Sequence, residues 1–576
     1  MIPKYYQDEL SHLRGLGADF SKAHPSLAPM LSGAQADPDV ERLLEGTAFL
    51  TALLRQKLDD EFPEIVQDLI QIVAPHYLKP VPSSTILLFR PKSTVRHTVK
   101  LPAGIACGSV PVEGLSCMFR TSYGMEIHPL TLLDAAFQQR PGQPPIIKIN
   151  FELNGLTLTQ WKPELVRLYL AEDFAKASDL YLLLRRHLKC IRIVPQEGGR
   201  PCLLDRGCLR PVGFDLMERL VPCPSQGFPG FGVMQDYFVL PQKFLFLDLV
   251  GWERWSARGS SARFEVQLEL EDIPSGPVRI SKESFVLNAT PAINLFPHEA
   301  TPIYLDHQKA QYAIRPIGAD PDYYHVFSVD EMKGFVQGTC EEKTYSAFDL
   351  FRPSTSAKPA FHVSYAPSAV SSGADLFLSV AYPPGTELPV PETLSVKLTC
   401  TNGSLPGRLR TGDISIHGKG CPEYVTFMNI IPPTPGAPPP IGKNLLWRLV
   451  SHLAAGFQSL EKEEVLKSML ELYVHPEARD VAALANQKRI SGIQKVSANS
   501  ADRLVSGMVM RGRNITLEVN EDHFASRGDA FLFGCVLETF FGNYGSINSF
   551  TSLTMKDIQG GSRYSWPPRT GHRPLI

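Results

Sequence analysis

The chain has 576 residues, of which 43% are hydrophobic and 20% charged, a globular composition that excludes large-scale disorder. At about 100 to 200 residues per domain, roughly three to five domains are expected. A net charge of −2 gives no broad field for nucleic acid or a membrane surface, and 49 prolines with 43 glycines favour turns over long helices.

The amino terminus, Met-Ile-Pro-Lys-Tyr-Tyr, lacks an apolar core of signal-peptide length, and the longest strongly apolar runs, such as Phe531 to Leu537, fall far short of a bilayer. The chain reads as cytosolic, without membrane insertion.

Residues 1–80 read as a helical docking segment. Tyr6, Leu10, Leu13, Gly17 and Phe20 recur at alternating four and three spacings, the narrow seam of bundle packing. A second helix starts at Pro38, with Asp37 placed to cap it. From Val40 its core stripe is read as Leu43, Leu44, Thr47, Leu50, Leu54 and Leu58, all within one broad sector at about 100° per residue. Phe49 and Leu53 fall outside that stripe and call for a second partner, either another subunit or this chain's own β domain. A third helical run is expected from Pro63 to Val73. Residues 1–80 carry seven Lys/Arg against twelve Asp/Glu, a net −5, whereas residues 487–576 carry eleven against seven, a net +4.

The period then changes from helix to strand. A β-rich domain is expected over 81–284, with Thr85–Phe89, Ile146–Leu153, Lys189–Val194 and Phe264–Leu270 as strands and Asn154-Gly155 as a turn. Turn residues between strands favour antiparallel pairing. The Gly/Pro-rich stretch between Glu218 and Pro241, including Gly227 to Gly232, reads as an exposed loop without phosphate-cradle spacing. A second β-rich domain is expected over 285–430. Six of the eleven residues from Ile431 to Ile441 are proline, the mark of a semi-rigid spacer, and helical stripes resume at Leu446–Leu460 and Val465–Tyr473, giving a linker-and-helix segment over 431–480. The last unit, 481–576, alternates: strand Asn514–Val519, helix Asp529–Phe541, strand Ser549–Leu553, and a proline-containing tail. Its Phe540 and Phe541 are a second candidate partner surface, on aromatic density alone. The fold class is α+β and multidomain, with an N-terminal helical segment, antiparallel β-rich middle domains and a mixed α/β C-terminal unit.

Residues that could carry chemistry do not form a pattern. HExxH, GxSxG, an EF-hand loop and a phosphate cradle are all missing. Glu283 with Glu299, or Asp236 with Asp248, could be offered as an acid/base pair, but 59 acidic residues supply such pairs by chance. Cys190, Cys202, Cys208 and Cys223 lack the close pairs of a structural zinc site, and the sequence has no CxxC. His298-Glu299 reads as a polar turn, His187 and His325 as hydrogen-bonded or exposed, and Lys488-Arg489 and Arg511-Gly512-Arg513 as solvated basic spots. No catalytic residue, cofactor or metal is expected, and no nucleic-acid partner. The competing class is a cytosolic hydrolase or carbohydrate-active enzyme using its β domains.

Three N-terminal blocks, Tyr5–Arg14, Asp37–Gly46 and Arg55–Glu64, resemble the opening of the TssF family, also called VasA or ImpG, of the bacterial type VI secretion system. Pro241–Phe246, Thr290–Phe296, Phe531–Gly534 and Tyr544–Phe550 resemble later blocks of that family in order, so the likeness spans nearly the whole chain. The resemblance implies a structural baseplate component without catalytic residues. It implies two copies joined to one TssG in a wedge, six wedges around the VgrG spike hub, TssK linking the wedge to the inner-membrane complex, and TssE connecting it to the sheath.

Overall fold

The computed structural model describes residues 2–23, 38–222, 229–271, 279–318, 320, 322–336, 338, 342–348, 359–368, 373–382, 390–439, 441, 462–474, 481–505, 508–544 and 549–570. The expected helix over 446–460, the Asp37 cap and Cys223 lie outside them. The chain divides into a small unit that holds Met1–Ile72 and a large one that holds Val73–Ile441 and Ser451–Ile576.

The small unit is helical. Helix α1 spans Ile2–Ala23 and α2 spans Pro38–Val73, 36 residues that extend about 54 Å at the usual rise. Asp39 and Glu41 in the first turn of α2 lie where the helix dipole favours negative charge. The second and third helical runs are therefore one helix. Pro63 removes one N–H from the backbone ladder without ending it, which local propensity alone does not anticipate.

The large unit is α+β, with antiparallel sheets through its middle. One six-stranded sheet runs in the order Ile414–His417, Ala106–Val112, Leu115–Thr121, Ala289–Ile293, Ser84–Pro91, Val425–Asn429. Its strands come from both sides of residue 284, so a domain boundary there does not separate the sheets. The core beneath includes Leu87, Phe89, Cys107, Phe119, Ile414 and Phe427. Asn294 shows how the sheets are joined: its Nδ2 donates to Met118 O and Asn402 Oδ1, and its Oδ1 accepts from Asn402 N–H and Thr401 Oγ1. All four groups of this fully buried amide are thus satisfied.

A five-stranded sheet is built around Arg263–Leu270, between Leu188–Pro195 and Ile146–Leu153. A four-stranded sheet pairs Leu165–Leu170 with Phe246–Val250. An eight-stranded sheet centres on Glu392–Thr401, paired with His325–Val336. Its alternating inward residues Leu394, Val396, Leu398 and Cys400 are all buried. The expected turn at Gly155 is present, and Gly403 reverses the chain after strand Glu392–Thr401; both have positive φ, 75° and 55°.

Helices α3 (Phe174–Arg186), α4 (Pro229–Val239), α5 (Glu463–Glu471), α6 (Val481–Ser491) and α7 (Arg527–Tyr544) belong to this unit. Strand Met508–Val519 pairs in parallel with Ser549–Asp557, and the connection between them runs through α7, the crossover that parallel pairing requires. The loop expected between Glu218 and Pro241 is in part wrong: from Pro229 the chain is helix, with Phe231, Val233 and Met234 buried. Composition suggested a turn, but aromatic burial against Phe540 and Tyr473 overrides the weak helical propensity of Gly230 and Gly232.

Candidate partner-docking surface

In the small unit, the residues that α2 buries are Ala48 and Ala52, at 0% and 1% exposure, with Leu44 and Thr51 half-buried beside them. Opposite them on the helix, at about 100° per residue, lie Leu43, Phe49, Leu50 and Leu53, within a sector roughly 120° wide. All four are exposed, Leu43 at 71%, Leu50 at 63%, Phe49 at 46% and Leu53 at 38%. The leucine stripe read from the sequence as core is thus corrected for Leu43 and Leu50. Small residues form the buried stripe of α2, and the large apolar residues are left outside it. The side chains of Leu54 and Leu58 are not among those described.

Helix α1 matches this. Tyr6, Leu10 and Leu13 are half-buried, as the four-and-three spacing predicts, and Glu9 is buried, while Leu16 and Phe20 remain 52% and 47% exposed. Arg14 joins the two helices, its Nε donating to Glu41 Oε1 at 2.8 Å. With both side chains substantially solvated, that pair contributes roughly 0 to 1 kcal/mol and serves mainly to fix register. Helix α2 therefore presents an apolar sector, with Asp39 one turn before it and Glu45 at its edge, whose large side chains remain exposed.

Phe540 and Phe541 do not share this property. They are 0% and 2% exposed, and Phe540 packs against Phe231 and Phe541 at ring distances of 6.0 and 5.5 Å. The C-terminal candidate surface is corrected on this ground: an aromatic-rich helix that is apolar nearly all round is a core helix. A charge network holds it in place. Asp529 of α7 accepts from Arg489 Nε at 2.9 Å, from the Tyr237 hydroxyl at 3.0 Å and from Ala525 N–H at 3.0 Å, and Arg489 Nη1 donates to Asn486 Oδ1 at 2.7 Å. The Arg489 guanidinium also lies over the Phe174 and Tyr237 rings. Arg489, read as part of a solvated basic spot, is in fact 6% exposed and ties α6 and α7 to α4.

Of the carboxylates that could be offered as pairs, Asp236 and Asp248 are engaged in the same way. Asp236 is ion-paired to Lys243 and accepts N–H groups of Leu220 at 3.0 Å and Val221 at 3.3 Å. Lys243 Nζ also reaches Glu218 O at 2.9 Å, and burial pulls its pKa down against the pull of Asp236. Asp248 receives a two-pronged contact from Arg167, Nε and Nη2 each at 2.7 Å. Glu283 and Glu299 are both exposed, one on the turn before strand Phe285–Leu287 and the other on strand Phe296–Glu299. An open groove of about 680 Å³ lined by Glu172, Asp173, Lys176 and Glu283 lies beside the first.

The histidines depart in part from their expected roles: His298 and Glu299 lie on strand Phe296–Glu299 and not on a turn, and both ring nitrogens of His325 are buried with no hydrogen-bond partner among the described residues. His298 Nε2 donates to Ile317 O at 3.0 Å, and the backbone N–H of His187 closes α3 on Leu183 O at 3.0 Å. His76 is stacked 6.2 Å from Tyr473, and burial, helped by Arg219 and Lys79, pulls its imidazole down to about 3. Among the described residues no cluster of three or more His, Cys, Asp or Glu could hold a metal ion, and no helix is long and apolar enough to cross a membrane.

Fold and surface define a class of protein, a multidomain α+β chain with an exposed apolar face on its helical unit. The model of the family "Type VI secretion system, TssF" matches residues 1–573, and the chain belongs to that family. It is 28% identical to the type VI secretion system component TssF1 of Pseudomonas aeruginosa, over 100% of this chain and 99% of that protein. A solved structure of a type VI secretion TssK-TssF-TssG baseplate subcomplex contains a chain with TM-score 0.76 and 27% identity, covering 93% of this chain and 99% of the other. A chain in the type VI secretion baseplate complex shares the fold at TM-score 0.61 and 23% identity, each covered over 100%.

Proposed function

We propose that this chain is a structural wedge subunit of a type VI secretion baseplate, acting by assembly and not by catalysis. The observation that carries the reading is family membership along the whole chain, together with the likeness to a subunit solved in a TssK-TssF-TssG subcomplex. Two copies join one TssG, and the wedges surround the VgrG spike hub. TssK ties the wedge to the inner-membrane complex from the cytoplasmic side, TssE connects it to the sheath, and rearrangement of the baseplate is thereby coupled to contraction.

Within the wedge, the exposed face of α2, with Phe49 and Leu53, packs against partner helices. Its support is physical: a monomer gains nothing by leaving four large apolar side chains on one helix sector, whereas a subunit interface buries them. Co-expression with affinity-tagged TssG and measurement of the intact complex mass tests the reading. A 2:1 complex is expected; a chain that does not co-purify with TssG, or secretion that stays intact in cells lacking the chain, overturns it.

A further inference from the structure

We infer that Cys107 and Cys421 form a redox pair, a modification site at which a low-molecular-weight disulfide of the glutathione type converts two thiols into one intrachain disulfide. The geometry is set by backbone. Strand Ile414–His417 pairs antiparallel with Ala106–Val112, placing His417 opposite Cys107. The chain then reverses: Gly418 N–H donates to Ala106 O at 3.2 Å, Lys419 O accepts from Ala106 N–H at 3.4 Å, and Cys421 N–H donates to Gly418 O at 3.2 Å. The turn is thus clamped to the residue next to Cys107 and folds Cys421 back over it.

Glycine is required at the clamp, because a Cβ on Gly418 would lie 2.7 Å from Ala106 O. Gly420 takes φ +82° to complete the reversal. Cys421 packs on the core cluster that contains Cys107, whose Sγ donates to Ile105 O at 3.9 Å.

The two sulfurs have different roles. Cys107 is 0% exposed, while Cys421 is half-buried and is where a reagent enters. The neighbouring Cys107 thiol, assisted by His417 and opposed by burial, lowers the Cys421 thiol to about 7. Proximity to Cys421, with burial, pushes Cys107 up. Cys421 thiolate attacks one sulfur of oxidised glutathione, forming a mixed disulfide and releasing one glutathione thiolate. Cys107 then gives up its proton and attacks Cys421 Sγ, forming the intrachain bond and releasing the second. Two protein thiols are oxidised, one glutathione disulfide becomes two thiols, and the two protons pass to the leaving thiolates. The product staples the turn that leads into strand Val425–Asn429 onto strand Ala106–Val112.

The test is to treat the full-length chain with oxidised glutathione at pH 8 and pH 6, alkylate the remaining thiols, digest, and map linked peptides by mass. A Cys107–Cys421 link is expected to form first, about tenfold faster at pH 8 than at pH 6 as the Cys421 thiolate fraction falls. In Cys107→Ser a glutathione adduct should accumulate on Cys421, and in Cys421→Ser Cys107 should stay unmodified. The half-buried Cys190 and Cys202 are internal controls. Their modification ahead of Cys421, or a lasting adduct on Cys421 in the unmutated chain without the cross-link, overturns the assignment.

Discussion

Replacing Phe49 and Leu53 together by Ala separates a docking face from a merely untidy surface. Full burial of a Phe or Leu side chain is worth about 1.5 to 3 kcal/mol. Since Phe49 is 46% and Leu53 38% exposed, scaling by these fractions leaves about 2 kcal/mol for a partner to gain. That corresponds to an affinity for TssG about 30-fold weaker. The isolated chain should lose little stability, because the truncated atoms already face solvent. Aspartate at both positions should weaken the complex further, since it places unpaired charge in a desolvated interface. Titration calorimetry against TssG, with the thermal unfolding midpoint of each variant as the control, reads both quantities. Phe540→Ala is the opposite case: the ring is 0% exposed, so its removal should cost about 3 to 5 kcal/mol of stability through the cavity left behind. Undiminished affinity in the Phe49/Leu53 double variant would refute the assignment of this face.

Three further outcomes follow from the large unit. Asp236→Ala strands the Lys243 ammonium, 0% exposed, without its counter-ion, and should cost about 3 to 5 kcal/mol in urea unfolding, whereas the double variant Asp236→Leu with Lys243→Met should recover part of that loss. His76 is held neutral, its imidazole lowered from 6.5 to about 3, so the unfolded chain binds the extra proton below pH 6.5. Its contribution is complete above pH 6.5 and is lost as pH falls towards 3, amounting to about 2 kcal/mol between pH 7 and pH 5. A His76→Gln variant should flatten that part of the stability–pH curve, and an unchanged slope would contradict the account. Gly528→Ala should destabilise by about 1 to 3 kcal/mol in the same assay, because a Cβ there would lie 2.1 Å from the backbone of Ser178, at the close approach of α7 to α3.

Much of this was readable in the chain itself. Period-two alternation in Ile146–Leu153 and Phe264–Leu270 named strands that pair with each other, and Asn154-Gly155 named the end of the first, because pleat and positive φ are local properties. The helices Ile2–Ala23 and Pro38–Val73 and the strand–helix–strand order at the C-terminus follow from the same local rules.

What tertiary structure decided is which face of each element has a neighbour. Hydrophobicity alone put the α2 seam on leucines and treated Phe540 as surface, yet packing chose Ala48 and Ala52 and enclosed Phe540. A helix buries the side that lets its neighbour come close, and the largest side chain is not always on it. Arg489 looked solvated until Asp529, forty residues away, closed on it, and strands on either side of residue 284 became one sheet. Those pairings join residues far apart in the chain, and no local period carries information about them.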